Sequence, residues 1–166
     1  MLGLLASATR QGKVCALVDA SDTLEPAGAA AAGVYLDNLI WVRCRGNAGY
    51  AFKAADLLLH GGGFGLIVLD LCDVPRRLLQ RAPLSYWYRF RRAVEDTSTS
   101  LVVVSTDPQA RSCAALILEA RQRRIDLAGD SDFHFLRAVD LEFIPRKPVT
   151  SLTAGLRAEA PSGRID

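Results

Sequence analysis

The chain has 166 residues, 50% of them hydrophobic and 23% charged, with a formal net charge of +2. That length and apolar content suit one globular domain with a real core and exclude disorder for most of the sequence. No apolar run approaches the roughly 20 residues that cross a bilayer, and Met1 to Arg10 lacks the basic start of a secretory signal, so a cytoplasmic protein with no membrane partner is expected. Cys15, Cys44, Cys72 and Cys113 are scattered singly, mostly in or beside apolar runs, which is the pattern of reduced, buried thiols. With only His60 and His134 and no paired cysteine spacing, a zinc site has little support.

In chain order, Leu2 to Gln11 reads as a short helix with a cationic last turn and a glycine stop. Val14 to Val18 is apolar throughout and closes on Asp19, the pattern of a buried strand. Ser21 to Pro26 holds turn and cap residues, and Pro26 suits the first turn of an alanine-rich helix ending at Gly33. Leu39 to Arg43 reads as a strand with Trp41 packed inward. Ala48 to His60 is a helix with Tyr50, Ala54, Leu57 and Leu58 on its apolar face.

After the glycine-rich turn Gly61-Gly62-Gly63 comes Leu66 to Asp70, four branched apolar residues closed by a carboxylate. Such a run is buried on both faces, as in the middle of a parallel sheet covered by helices. Ligands in open α/β sheets bind outside the carboxyl ends of the strands, so Asp70, like Asp19, stands where a ligand or a metal would be met. An Asp closing a strand can equally cap a turn.

Pro75 to Pro83 is basic and irregular, Ser85 to Val94 is an amphipathic helix, and Leu101 to Ser105 is a further buried strand. The β-α alternation implies a parallel sheet with right-handed crossovers. Gln109 to Arg124 reads as a helix that ends in Arg121, Arg123 and Arg124, and Phe133 to Ile144 alternates as antiparallel edge strands do. Residues 1–148 are therefore expected to form one α/β domain, with 149–166 as a flexible tail.

Arg89, Arg91 and Arg92 lie among Tyr86, Trp87 and Tyr88, a mixture that can track a nucleic-acid backbone and stack bases. The more economical reading is a crossover helix with Trp87 and Phe90 inside and its arginines in water.

The run Cys15-Ala-Leu-Val-Asp-Ala-Ser-Asp-Thr-Leu-Glu-Pro26, followed by Gly33-Val-Tyr-Leu-Asp-Asn-Leu39, resembles the RecA recombinase core. Leu39-Ile-Trp-Val-Arg-Cys44 is most similar to ImuA, the RecA-like accessory family of bacterial damage-induced mutagenesis. The resemblance covers Met1 to Pro148 in outline and is specific over Val14 to Asp70. It implies a RecA-like parallel sheet flanked by helices, with antiparallel edge strands near the C-terminus and without the N-terminal phosphate-loop strand. Asp70 becomes the Walker B carboxylate, expected to reach the magnesium of a nucleotide through water. Asp19 and Thr106 become vestigial nucleotide-site positions, Thr106 (or Asp107) matching a γ-phosphate sensor.

The departures from that pattern are chemical. No Gly-x-x-x-x-Gly-Lys-Ser/Thr occurs in the 166 residues, and the position of the RecA catalytic glutamate is Ser21, which cannot serve as a general base at neutral pH. No catalytic residue is assigned, and ATP with magnesium is expected only if a phosphate-binding loop lies upstream. The resulting expectation is a DNA-repair or SOS-mutagenesis accessory domain with ATP hydrolysis lost. Its expected partners are repair or translesion-polymerase proteins and RecA-like subunits, with single-stranded DNA as a further candidate. The alternatives are a fragment or mis-started form of a DNA-dependent RecA-like ATPase, and a basic single-strand-binding module.

Overall fold

A computed structural model of the chain describes residues 1–95, 97–130, 133–148 and 154–159. It divides into two compact units, Met1–Cys113 and Ala114–Asp166. The division therefore falls well before the boundary at residue 148 that composition suggests.

The first unit alternates helix and strand: α1 (Leu2–Arg10), β1 (Cys15–Asp19), α2 (Pro26–Ala31), β2 (Leu39–Arg43), α3 (Ala48–Gly61), β3 (Leu66–Asp70), α4 (Arg76–Leu79), α5 (Leu84–Glu95) and β4 (Ser100–Val104). The four strands form one sheet in the order β2-β1-β3-β4, and every pairing is parallel. Two core layers explain why β1 and β3 carry no polar alternation. Cys15 and Leu17 of β1 and Leu66 and Val68 of β3 pack with Leu5 and Ala6 of α1 and Ala29 of α2 on one face. Ala16, Val18, Ile67 and Leu69 pack with Ala51, Phe52, Trp87 and Phe90 of α3 and α5 on the other. Each fully buried Leu, Ile or Val contributes about 1.5–3 kcal/mol, so the central strands are the principal source of stability.

Helix α3 starts at Asn47, whose side chain accepts from the Tyr50 N–H at 3.0 Å, and stops at Gly62, which adopts φ 69°. Its buried stripe is Ala51, Phe52, Ala55 and Leu59, a correction to the expected face. Ala54 and Leu58 pack at the margin of the core, whereas Tyr50 and Leu57 are 62% and 73% exposed. The reason is Phe52, whose ring lies 5.2 Å from Trp87 in a T-shaped contact and 6.3 Å from Phe90, so the helix turns toward α5 to bury it.

Beyond β4 the expected helix over Gln109 to Arg124 is not formed. A single 3₁₀ turn at Arg111–Cys113 is followed by the strand β5 (Ile117–Asp130), which pairs antiparallel with β6 (Phe133–Lys147). Period-two alternation from Leu118 to Arg121 and the long ladder to β6 override the local helical pattern. The strand β7 (Ala154–Glu159) joins β6, giving a three-stranded antiparallel sheet of its own, in the order β5-β6-β7. Part of the expected flexible tail is thus strand, and the rest of it lies outside the described residues.

In this sheet the register puts Leu118, Ala120 and Ile125 opposite Pro145, Phe143 and Val139 on one face, and charged residues on the other. Of the arginines expected to end a helix, Arg121 pairs with Glu119 and Arg123 with Glu142 along the strands, as Arg146 does with Glu119 and Arg157 with Asp126 and Asp140. Among the described residues no helix is long and apolar enough to cross a membrane.

Candidate functional site

The parallel register aligns the strand ends of the first unit in one row, Arg43, Asp19, Asp70 and Val104, across the carboxyl edge of the sheet. Two carboxylates at neighbouring strand tips is the arrangement the sequence implies. Their surroundings set their uses apart.

Asp19 is 1% exposed. Its Oδ1 accepts from the Asp22 N–H at 2.7 Å, and its Oδ2 accepts from the N–H groups of Thr23 and Leu24, both at 2.9 Å, and from Trp41 Nε1 at 3.2 Å. Four donors engage the two oxygens of this buried carboxylate, three of them on Oδ2, so it organises the turn after β1. The turn it holds places Asp22 in the left-handed region at φ 66°. Asp22 then receives Arg43 in a bidentate pair, Nε to Oδ1 at 2.5 Å and Nη2 to Oδ2 at 2.8 Å. The Arg43 guanidinium beside it lowers the Asp22 carboxyl below its ordinary value. Arg43 also lies 4.6 Å from the Trp41 ring centroid, a cation–π contact. Ser21, at the position the resemblance gives to a catalytic glutamate, sits half-buried between these two engaged acids.

Asp70 is half-buried and accepts from the Cys72 N–H at 3.0 Å. Burial, with the Asp70 and Asp73 charges and the hydrogen bond to Asp70, pushes the Cys72 thiol up to about 11. Thr106 is exposed beyond β4, and Asp107 is held by Arg76 at 3.3 Å. The glycines Gly62 and Gly63 take φ 69° and 84° between the end of α3 and the amino end of β3, at the opposite edge of the sheet from Asp19 and Asp70. They stop a helix and do not face the strand-tip row.

Helix α5 carries both the aromatic and the basic residues singled out in the sequence. Trp87 and Phe90 are buried, Arg89 pairs with Asp56 at 2.5 Å, and Arg91 pairs with Glu95 at 2.8 Å one turn on. Arg92 alone of the three candidates has no ion pair among the described residues.

A magnesium nucleotide asks for a phosphate cradle, a hard oxygen donor and a residue to position water. Asp70 supplies one donor, Asp19 is buried and tied into the turn after β1, and Ser21 is no base. Among the described residues no three His, Cys, Asp or Glu side chains are grouped to hold a metal ion. The residues present do not fit that group by themselves. The pairs that shape the edge, Asp22 with Arg43 and Asp19 with Trp41, join residues about twenty apart in sequence, and only the parallel register brings them together.

No family model matches the chain. Among curated proteins, Protein RecA of Rickettsia massiliae (strain Mtu5) is 38% identical over 69 residues, 42% of this chain and 20% of that protein. The core is RecA-like. Protein RecA of Teredinibacter turnerae (strain ATCC 39867 / T7901) and of Ectopseudomonas oleovorans are each 39% identical over 69 residues. The chain spans about a fifth of the length of the curated relatives it matches.

Proposed function

We propose that the chain works as an ImuA-like accessory domain in DNA repair or damage-induced mutagenesis, acting through protein contacts without hydrolysing ATP itself. The observation that carries this reading is the state of the strand-tip row. The fold and the acidic turn of a RecA-like core are kept, yet Asp19 is consumed by the turn, Asp22 by Arg43, and Ser21 occupies the position of the catalytic glutamate. Partners would be repair or translesion-polymerase proteins or RecA-like subunits, and Asp70 would be a structural remnant of a Walker B carboxylate. Fold similarity supports the repair relation, while the loss of chemistry is argued from the site.

Deletion of the gene followed by measurement of mutation frequency after DNA damage tests this. The frequency is expected to fall, and expression of Asp70→Asn is expected to restore it as well as the unaltered protein does. An unchanged frequency in the deletion strain refutes the accessory role. Failure of Asp70→Asn to restore it refutes the dispensability of the nucleotide chemistry.

A further inference from the structure

A groove of about 570 Å³ opens in the first unit between the first turn of α3 and the segment joining α4 to α5. Phe52, Leu78 and Pro83 supply its apolar lining, and Arg45, Asn47, Arg81 and Tyr86 its polar lining. Among the described residues no carboxylate lines it. Elsewhere in the unit Arg43, Arg76, Arg89 and Arg91 each hold an acid. Arg45 and Arg81 hold none among the described residues. The carboxylate that senses Arg45 is Asp22, and both its oxygens are already taken by Arg43.

Two unpaired guanidiniums over an apolar wall suit a ligand with a phosphate at one end and a flat apolar body at the other. The volume lies in the ordinary range of about 300–1,000 Å³ for small-molecule sites. We propose that this groove binds a phosphate monoester of nucleotide size, the phosphate between Arg45 and Arg81 and the planar body against the apolar wall. The groove adjoins the strand-tip row through Arg45 but shares no lining residue with Arg43, Asp19, Asp70 or Val104.

Calorimetric titration of the full chain with deoxyadenosine monophosphate and with inorganic phosphate tests the assignment. The nucleotide is expected to bind at least about ten-fold more tightly than phosphate, because only it can use the apolar wall. Arg45→Gly and Arg81→Ala are each expected to weaken it about ten-fold, the usual worth of a hydrogen bond to a charged group. Glycine suits position 45, where φ is 50°, and both side chains are exposed, so neither change threatens the fold. Arg92→Ala, an unpaired arginine outside the groove, and Asp70→Asn should leave the affinity unchanged. Equal affinity for the two probes, no nucleotide binding at millimolar concentration, retention of binding in the double variant, or loss of binding in Arg92→Ala or Asp70→Asn would each overturn the proposal.

Discussion

Asp19→Ala is the sharpest perturbation of the strand-tip row, because it separates a carboxylate kept for architecture from one kept for ligand binding. The substitution removes the acceptor of four hydrogen bonds, from the N–H groups of Asp22, Thr23 and Leu24 and from Trp41 Nε1, at a position 1% exposed. Each buried donor left without a partner costs about 1–3 kcal/mol. Thr23 is exposed and its N–H regains water, so the sum is nearer the low end, about 3–5 kcal/mol. Against a typical total of about 5–15 kcal/mol this is a large fraction. With a urea slope of about 2 kcal/mol/M, the unfolding midpoint should fall by about 1.5–2.5 M. Asp19→Asn keeps the shape and can keep the three bonds to one oxygen, so its loss should be about 1–2 kcal/mol. A midpoint for Asp19→Ala within about 0.3 M of the unaltered protein would refute the assignment of this carboxylate to the turn.

Asp70 should behave in the opposite way. It is half-buried and takes one N–H, from Cys72, so Asp70→Asn should change stability by less than about 1 kcal/mol in the same titration. Removing its charge takes away one of the causes that raise the Cys72 thiol to about 11, so the thiolate fraction at pH 8 must increase. Alkylation of Cys72 in Asp70→Asn should therefore be faster than in the unaltered protein, and an equal or slower rate would contradict the placement of the two groups. In the aromatic cluster, Phe52→Ala should cost about 3–5 kcal/mol, while Leu57→Ala on the exposed side of α3 should stay within about 0.5 kcal/mol, both read by chemical denaturation. Similar losses for the two would restore the helix face first read from the sequence.

Much of the parallel half was legible in the sequence because its signals are local. Leu66 to Asp70 and Cys15 to Asp19 are apolar without alternation, and only strands covered on both sides need to be so. The face of α3 was less legible, since two apolar stripes compete along that helix and the choice rests on where Phe52 meets Trp87 and Phe90, residues more than thirty positions away. The segment after residue 109 misled for a related reason. Ala115, Leu116 and Leu118 satisfy a helical period as well as an extended one, and the ladder to β6 decides between them. Asp19 and Asp70 look alike in sequence, each closing an apolar run. The register between β1 and β2, which brings Trp41 and Arg43 over the turn, makes one of them a structural acceptor and leaves the other with a single partner.

On the proposed reading, the RecA-like core does not turn over ATP at its strand-tip row. Phosphate release by the purified chain in the presence of magnesium and ATP tests it most directly. The expected rate is that of the buffer blank, with Asp70→Asn indistinguishable from the unaltered protein. Release above the blank that disappears in Asp70→Asn would contradict the account, because it would show Asp70 holding magnesium in a working site.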